Sequence, residues 1–251
     1  MKRIESKQNQ TVKQWKKLHT KKEREKSGLF IIEGEHLVEE ALKYKSFIKH
    51  IVVSELFQIP SQWNLDGVSL YLTTDEIIKD LGSTESPQGV IAICLQPEQT
   101  IELGNVHSIL LIDAVQDPGN LGTLIRTADA AGINGVVLGE GTVDLFNSKV
   151  LRASQGSVFH LPIVRGNIGE CIDELRNNGI SVFGTALEGG KPFPQVPPTK
   201  SFALLVGNEG KGVQKEWLSK TNQNLYIPIH GKAESLNVTV AAGILLYYLR
   251  G

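Results

Sequence analysis

What most narrows the fold is a recurring alternation in residues 107–251: a short, largely apolar run, a turn bearing glycine or asparagine, then a helix-length stretch. The runs fall at Ile109–Ala114, Gly135–Leu138, Val158–Ile163, Ser181–Ala186, Ala203–Val206 and Leu225–Pro228. Helical stretches are expected near Leu121–Ala131, Ser148–Ser154, Ile168–Asn177, Val213–Lys220 and Leu236–Leu249. Strands that are apolar on both faces need cover on both, which helical crossovers between parallel strands provide. The fold class is therefore α/β, with a mainly parallel sheet in this half.

The first 95 residues alternate as well, but the helices are amphipathic and the unit is small. A basic helix is expected near Val12–Lys26, then a strand at Phe30–Ile32 and a helix burying Leu37, Val38, Ala41 and Leu42. Strands at Ile48–Val53, Ser69–Leu72 and Gly89–Leu95 and a helix at Asp75–Leu81 complete a small α/β sandwich. Residues 96–106 are rich in Pro, Gly, Gln and Asn without apolar periodicity, which makes them the expected linker. The domains are thus expected at 1–95 and 107–251.

Charge is unevenly spread. Residues 1–26 hold ten Lys/Arg and three Glu, against a net charge of −1 for the whole chain. A basic arm on an acidic body suits a polyanion, because each neutralised phosphate releases counterions, although a charge run alone is equally a solvated helix. No run of about 18 apolar residues is present, so no membrane span is expected. The start, MKRIESKQNQ, lacks the apolar stretch of a secretory signal, and a cytoplasmic location follows as the expectation. Cys94 and Cys171 stand apart from any Cys/His cluster, so neither a zinc site nor a disulfide framework is expected, and no metal.

The usual nucleotide cradles are missing. After the strand ending at Leu138, Gly139 and Gly141 are followed by Asp144 where a dinucleotide fingerprint needs its third glycine. In Gly207–Gly212, GNEGKG, Val213 stands where a phosphate-binding loop needs Lys and then Ser or Thr. Three segments carry the polar residues. In DPGNLGTLIRTADAAG (117–132), Asn120 reads as a helix cap and Arg126 as a cation at the edge of an apolar helix face. In LLVGNEGKGV (204–213), three glycines in six residues permit close approach of backbone to a ligand around Glu209. In IPIHGKAESLNVTVAAGILLYYLR (227–250), Ser235 reads as the cap of a helix apolar nearly all round, within which Gly243 implies close packing. Asn237 in its first turn must find a partner.

Taken together and in this order, the three segments closely resemble the signature motifs of the SpoU (TrmH-like) branch of the knotted RNA methyltransferases. The stretches 12–42 and 83–93 resemble, more loosely, the substrate-binding domain with a ribosomal protein L30e-like fold that precedes the catalytic domain in many of these enzymes. The resemblance implies a C-terminal α/β trefoil-knot domain, S-adenosylmethionine as cofactor, and methyl transfer to a ribose 2′-hydroxyl in structured RNA, foremost 23S ribosomal RNA. It implies Arg126, Asn120, Glu209, Ser235 and Asn237 as the catalytic set. It further implies that Thr185, Ala186, Leu187, Gly207, Asn208, Gly212, Ile227, Pro228, Ser235 and Leu236 hold the cofactor. A homodimer through the knotted domain is implied too, with Arg126 reaching the site of the partner subunit. Transfer RNA as substrate, methylation of a base, and a non-catalytic RNA-binding protein of the same fold are the competing readings.

Overall fold

In the computed structural model, which describes residues 1–251, the β-branched and aliphatic runs of the first hundred residues form one mixed sheet. Its strands are β1 (Lys2–Ile4), β2 (Leu29–Glu33), β3 (Ile48–Ser54), β4 (Ser69–Thr73) and β5 (Val90–Leu95), in the order β1-β4-β3-β5-β2. The β1–β4 and β3–β4 pairs are parallel, and β5 lies antiparallel to both β3 and β2. One face carries α1 (Gln10–Lys17) and α4 (Asp75–Leu81), whose Val12, Trp15, Ile77, Ile78 and Leu81 pack with Leu18 on Val52, Ile91 and Ile93. Each of these buried side chains contributes on the order of 1.5–3 kcal/mol. Helix α3 (Glu35–Leu42) buries Leu37, Val38, Ala41 and Leu42, as its spacing requires.

The expected basic helix over Val12–Lys26 is two helices. α1 stops at Lys17, and α2 (Lys21–Ser27) closes on the left-handed Gly28, whose N–H returns to the Arg24 carbonyl. Nor is it a free arm. Arg24 is buried, donates to the Leu18 carbonyl at 2.8 Å and pairs with Asp144 at 2.5 Å. A lone charge there would be strongly unfavourable, so Asp144 is part of the fold of this unit.

That ion pair belongs to a wider departure from the expected boundaries. The first unit comprises Met1–Glu98 together with Asp144–Phe159, and the second comprises Gln99–Val143 with His160–Gly251. Residues 144–159, expected within the second domain, bring Phe146 against Phe30, Phe159 against Phe47, and the Ser148–Ser154 helix against β2. The expected strand Val158–Ile163 is therefore not one. Ser157–Phe159 is a 3-10 turn buried in the first unit, and the strand starts only at Ile163. The expected linker 96–106 is also partly built in: Leu103, in a 3-10 turn, is buried in the core of the second unit.

The second unit has seven strands, β6 (Ser108–Ile112), β7 (Gly135–Leu138), β8 (Ile163–Arg165), β9 (Ser181–Thr185), β10 (Lys191–Pro192), β11 (Phe202–Val206) and β12 (Gln223–Tyr226). Their order is β10-β12-β9-β11-β6-β7-β8, and every pairing is parallel. Helices α5 (Pro118–Ala130), α7 (Ile168–Asn177), α8 (Lys215–Lys220) and α9 (Val238–Arg250) belong to this unit, α6 being the Ser148–Ser154 helix of the first. On one face α7 packs Ile168, Ile172 and Leu175 onto Ile109, Leu111, Val182, Ala203 and Leu205. α9 packs against β11 and against α5, burying Ala242, Leu245, Leu246 and Leu249. Val240, Ile244 and Tyr247 of α9 stay exposed. Gly243 is not closely packed: a Cβ there would meet only Thr127, at an ordinary 3.6 Å.

Candidate functional site

In an open parallel sheet, ligands bind beyond the carboxyl ends of the strands, where the connections diverge. Here β9, β11 and β12 end at Thr185, Val206 and Tyr226 around a cleft of about 620 Å³. Three chain segments form its walls: Thr185–Leu187, Gly207–Gly212 and the stretch from Leu225 to Asn237 that leads into α9. Val238, Ala241 and Leu245 of α9 close one side with apolar surface.

The Gly207–Gly212 segment is a tight hairpin. Asn208 and Gly212 exchange backbone hydrogen bonds at 3.1 and 2.9 Å, and the Asn208 Oδ1 accepts from the Gly210 and Lys211 N–H groups at 3.0 Å each. Asn208 Nδ2 donates to the Ala114 carbonyl at 2.9 Å, which ties the hairpin to the end of β6. Gly207 admits no other residue, because a Cβ there would lie inside the backbone of Gly212 and Val213. Ala114 itself is left-handed at φ 55°, a conformation that costs a non-glycine residue on the order of 1–3 kcal/mol and recurs where function constrains backbone. The buried Asp113 beside it accepts from Gln214 N at 2.8 Å and Gln214 Nε2 at 2.7 Å, anchoring the far end of the hairpin.

From this hairpin Glu209 reaches across to the start of α5. It accepts from Gln116 N at 3.3 Å, Asp117 N at 3.1 Å and Asn120 Nδ2 at 3.1 Å. The Asn120 Oδ1 accepts in turn from Asn237 Nδ2 at 3.1 Å, and Asn237 Oδ1 accepts from the backbone and hydroxyl of Thr239 at 2.8 and 2.6 Å. One chain of hydrogen bonds thus joins the three motif segments. Partial desolvation pushes the Glu209 carboxyl up, but the Asn120 amide and the Glu209, Asp117 and Gln116 N–H groups together outweigh it. The carboxyl is held below its ordinary value. A carboxylate this well supplied with donors orients its neighbours and is a poor proton acceptor.

Two caps expected from the sequence are reassigned. Asp117, not Asn120, caps α5, accepting from Asn120 N at 2.8 Å ahead of Pro118 in the first turn. Asn237, not Ser235, caps α9. With Asp117 capping α5, Asn120 Oδ1 accepts from Asn237, whose own Oδ1 caps α9 while its Nδ2 makes the bridge. Ser235 is exposed on the cleft wall.

Of the residues expected to hold a cofactor, Thr185, Ala186, Leu187, Gly207, Asn208, Gly212, Ile227, Ser235 and Leu236 line the cleft, and Pro228 does not. Glu209 and Asn237 line it too, with Asn120 hydrogen bonded to both. Arg126 does not: it sits exposed on α5 with no hydrogen bond or ion pair. Sequence reasoning missed Lys211, Tyr226, Ile229 and Glu234, which border the same cleft. Their adjacency to the motif residues was the available signal. The structure contains no group of three or more His, Cys, Asp or Glu arranged to hold a metal ion, and no helix long and apolar enough to cross a membrane.

Residues 107–247 match the family model for the SpoU rRNA Methylase family, and residues 9–92 match the MRM3-like substrate binding domain. Over 251 residues, the whole of both chains, the sequence is 55% identical to the 23S rRNA (guanosine(2553)-2′-O)-methyltransferase RlmP of Bacillus subtilis. Among solved structures it is similar to an AdoMet-bound rRNA methyltransferase from Sinorhizobium meliloti, with a TM-score of 0.88 and 34% identity over 99% of this chain and 97% of that one. It is also similar to the SpoU methyltransferase AviRb from Streptomyces viridochromogenes in complex with AdoMet, with a TM-score of 0.85 and 28% identity over 96% and 97% of the two chains.

Proposed function

The chain belongs to the SpoU rRNA methylase family, and from that premise we propose that it methylates a ribose 2′-hydroxyl of 23S ribosomal RNA, using S-adenosylmethionine. The observation that carries this reading is the Glu209–Asn120–Asn237 chain at the mouth of the cleft, in a sequence 55% identical throughout its length to a 23S rRNA guanosine 2′-O-methyltransferase. The nucleotide we assign is the guanosine equivalent to the one in that relative's name. A 23S rRNA substrate supports a cytoplasmic location for the enzyme.

The cleft suits the cofactor. Its apolar walls at Leu187, Ile227, Leu236 and Ala241 fit a planar base, and the backbone around Gly207, where no Cβ fits, permits close approach to a ribose or amino-acid moiety. When bound, S-adenosylmethionine supplies a methyl carbon on a positively charged sulfur, activated for displacement by an oxygen nucleophile. The protein's task is then alignment and management of the hydroxyl proton. Asn237 and Asn120, held by Glu209, orient the ribose. The Arg126 guanidinium is a fork of N–H donors with no acceptor, which suits it to bind a flanking phosphate or the developing oxyanion rather than to act as a base.

Because Arg126 is exposed and lies outside the cleft of its own chain, we assign it to the cleft of a second copy. The exposed apolar strip Val240, Ile244 and Tyr247 on α9, beside α5, supports a homodimer through this face. Family membership and the sheet order, in which β11 lies between β9 and β6, support a trefoil-knotted C-terminal chain.

The test is to incubate the purified protein with unmodified 23S rRNA transcript and S-adenosylmethionine and to map ribose methylation. One methylated guanosine is expected. Methyl recovered on a nucleobase, methylation of transfer RNA in its place, or no transfer by a protein that fails to bind S-adenosylmethionine would each overturn the reading.

A further inference from the structure

The first unit contains a second recess, of about 290 Å³, between the start of α3, the loop after α4 and the end of α6. That volume is at the lower end of the range for small-ligand pockets, roughly 300–1,000 Å³, and has room for one nucleoside. Leu37 lies at its base, and His36, Ser86, Gln88, Arg152 and Gln155 surround it.

The polar groups are arranged with specific valences left open. The buried Glu33 carboxylate is occupied, accepting from Ser83 N at 2.8 Å, Ser83 Oγ at 3.2 Å and Thr84 Oγ1. Ser83 Oγ in turn accepts from Arg152 Nη1 at 2.5 Å, which fixes the guanidinium at the rim. Arg152 has no carboxylate partner, so its remaining donors are open. Gln88 Oε1 accepts from Glu35 N at 2.9 Å, leaving its NH₂ free. Gln155 Nε2 donates to the Arg152 carbonyl at 2.7 Å, leaving the side-chain Oε1 free, while the Gln155 backbone carbonyl pairs with His36 Nε2 at 3.2 Å. Gln155 is also held left-handed, at φ 50°, by the closing turn of α6. A donor, an acceptor, an apolar base and a fixed guanidinium are what an unstacked nucleobase with its phosphate requires.

We propose that this recess seats one unpaired nucleotide of the substrate RNA, its phosphate on Arg152 and its base edge between Gln88 and Gln155. The assignment rests on the reading of the chain as an rRNA methyltransferase. The recess draws on both matched stretches, taking His36 and Gln88 from 9–92 and Arg152 and Gln155 from 107–247.

The test measures affinity for 23S rRNA transcript at several salt concentrations, with S-adenosylmethionine affinity and melting temperature read in parallel. Arg152→Ala is expected to weaken RNA binding about tenfold or more and to lower the salt slope by about 0.7–1, the signature of one lost phosphate contact. Ser86→Trp fills the recess while keeping the Arg152 side chain, and is expected to weaken RNA binding similarly while cofactor affinity is unchanged; it decides the matter if Arg152→Ala fails to fold. Wild-type RNA affinity in Ser86→Trp would overturn the proposal, as would an unchanged salt slope in folded Arg152→Ala. So would binding of free guanosine monophosphate, lost in Ser86→Trp, with RNA affinity intact. If the wild-type protein binds RNA but transfers no methyl group, the functional reading falls while these affinities still judge the recess.

Discussion

Asn237 does two jobs that substitution can separate. Its Oδ1 caps α9 through Thr239 N, and its Nδ2 donates to Asn120. Asn237→Ala removes both, at about 1 kcal/mol for the cap and about 1 kcal/mol for the bridging hydrogen bond. Asn237→Ser keeps a competent cap but is too short to reach Asn120, so it should lose only about 1 kcal/mol. For a chain of this length, about 2–4 °C of melting temperature accompanies each kcal/mol, so Asn237→Ala should melt about 4–8 °C low and Asn237→Ser about 2–4 °C low. Activity should divide differently. Both variants leave Asn120 held by Glu209 alone, and a misplacement near 1 Å costs about a hundredfold in rate. Single-turnover methylation should therefore fall by a comparable factor, about ten- to a hundredfold, in both, while melting separates them. If Asn237→Ser methylates at the wild-type rate, the Asn120–Asn237 bridge is not part of the machinery and the reasoning fails.

Arg126→Ala should abolish methyl transfer while S-adenosylmethionine affinity, read by calorimetry, stays unchanged; parallel loss of both would refute its assigned place outside its own cleft. Gly207→Ala should cost about 1–3 kcal/mol by forcing the hairpin apart and should also weaken cofactor binding, so an unaltered melting curve would count against the overlap described above. The folded Glu209 carboxyl lies below its ordinary value, so its network contributes stability fully present above the unfolded value of about 4.3 and lost as pH falls through the lower folded value. Glu209→Gln should flatten the acid limb of a pH–stability profile in that window, and an unchanged limb would assign it to other carboxyls. Arg24→Ala should destabilise the first unit by about 3 kcal/mol, because Asp144 is left without its partner, and a loss below 1 kcal/mol in denaturant melts would show the pair to be dispensable.

Much of the second unit could be read directly from the sequence, because strands buried on both faces leave a plain apolar signature. The Gly135–Leu138 strand and the Ile168–Asn177 helix fall at their expected bounds, as does the Ser148–Ser154 helix of the first unit. Val158–Ile163 carries the same signature for another reason: Val158 and Phe159 are buried in a turn of the first unit, and periodicity cannot distinguish the two. Arg24 lies within a basic run, and nothing local in the sequence marks its partner Asp144, 120 positions away. At the site, the residue types were apparent but the wiring was not. Asn120 and Asn237 each occupy a position suited to capping, and only the fold shows that Asp117 takes over one cap and so leaves Asn120 free to bridge.

The return of residues 144–159 to the first unit has a consequence for how the protein is made. On the ribosome, β1 to β5 emerge early, yet the rings that pack on Phe30 and Phe47 and the acid that neutralises Arg24 come roughly 50–65 residues later, a delay of about 3–12 s at ordinary elongation rates. During that interval the nascent substrate-binding unit carries an unpaired inward-facing arginine and uncovered aromatic surface, while β6 and β7 of the other unit are already being extruded. Synonymous codon changes that slow translation between Glu98 and Asp144 should therefore prolong exposure to chaperones and aggregation without altering a single residue of the finished enzyme.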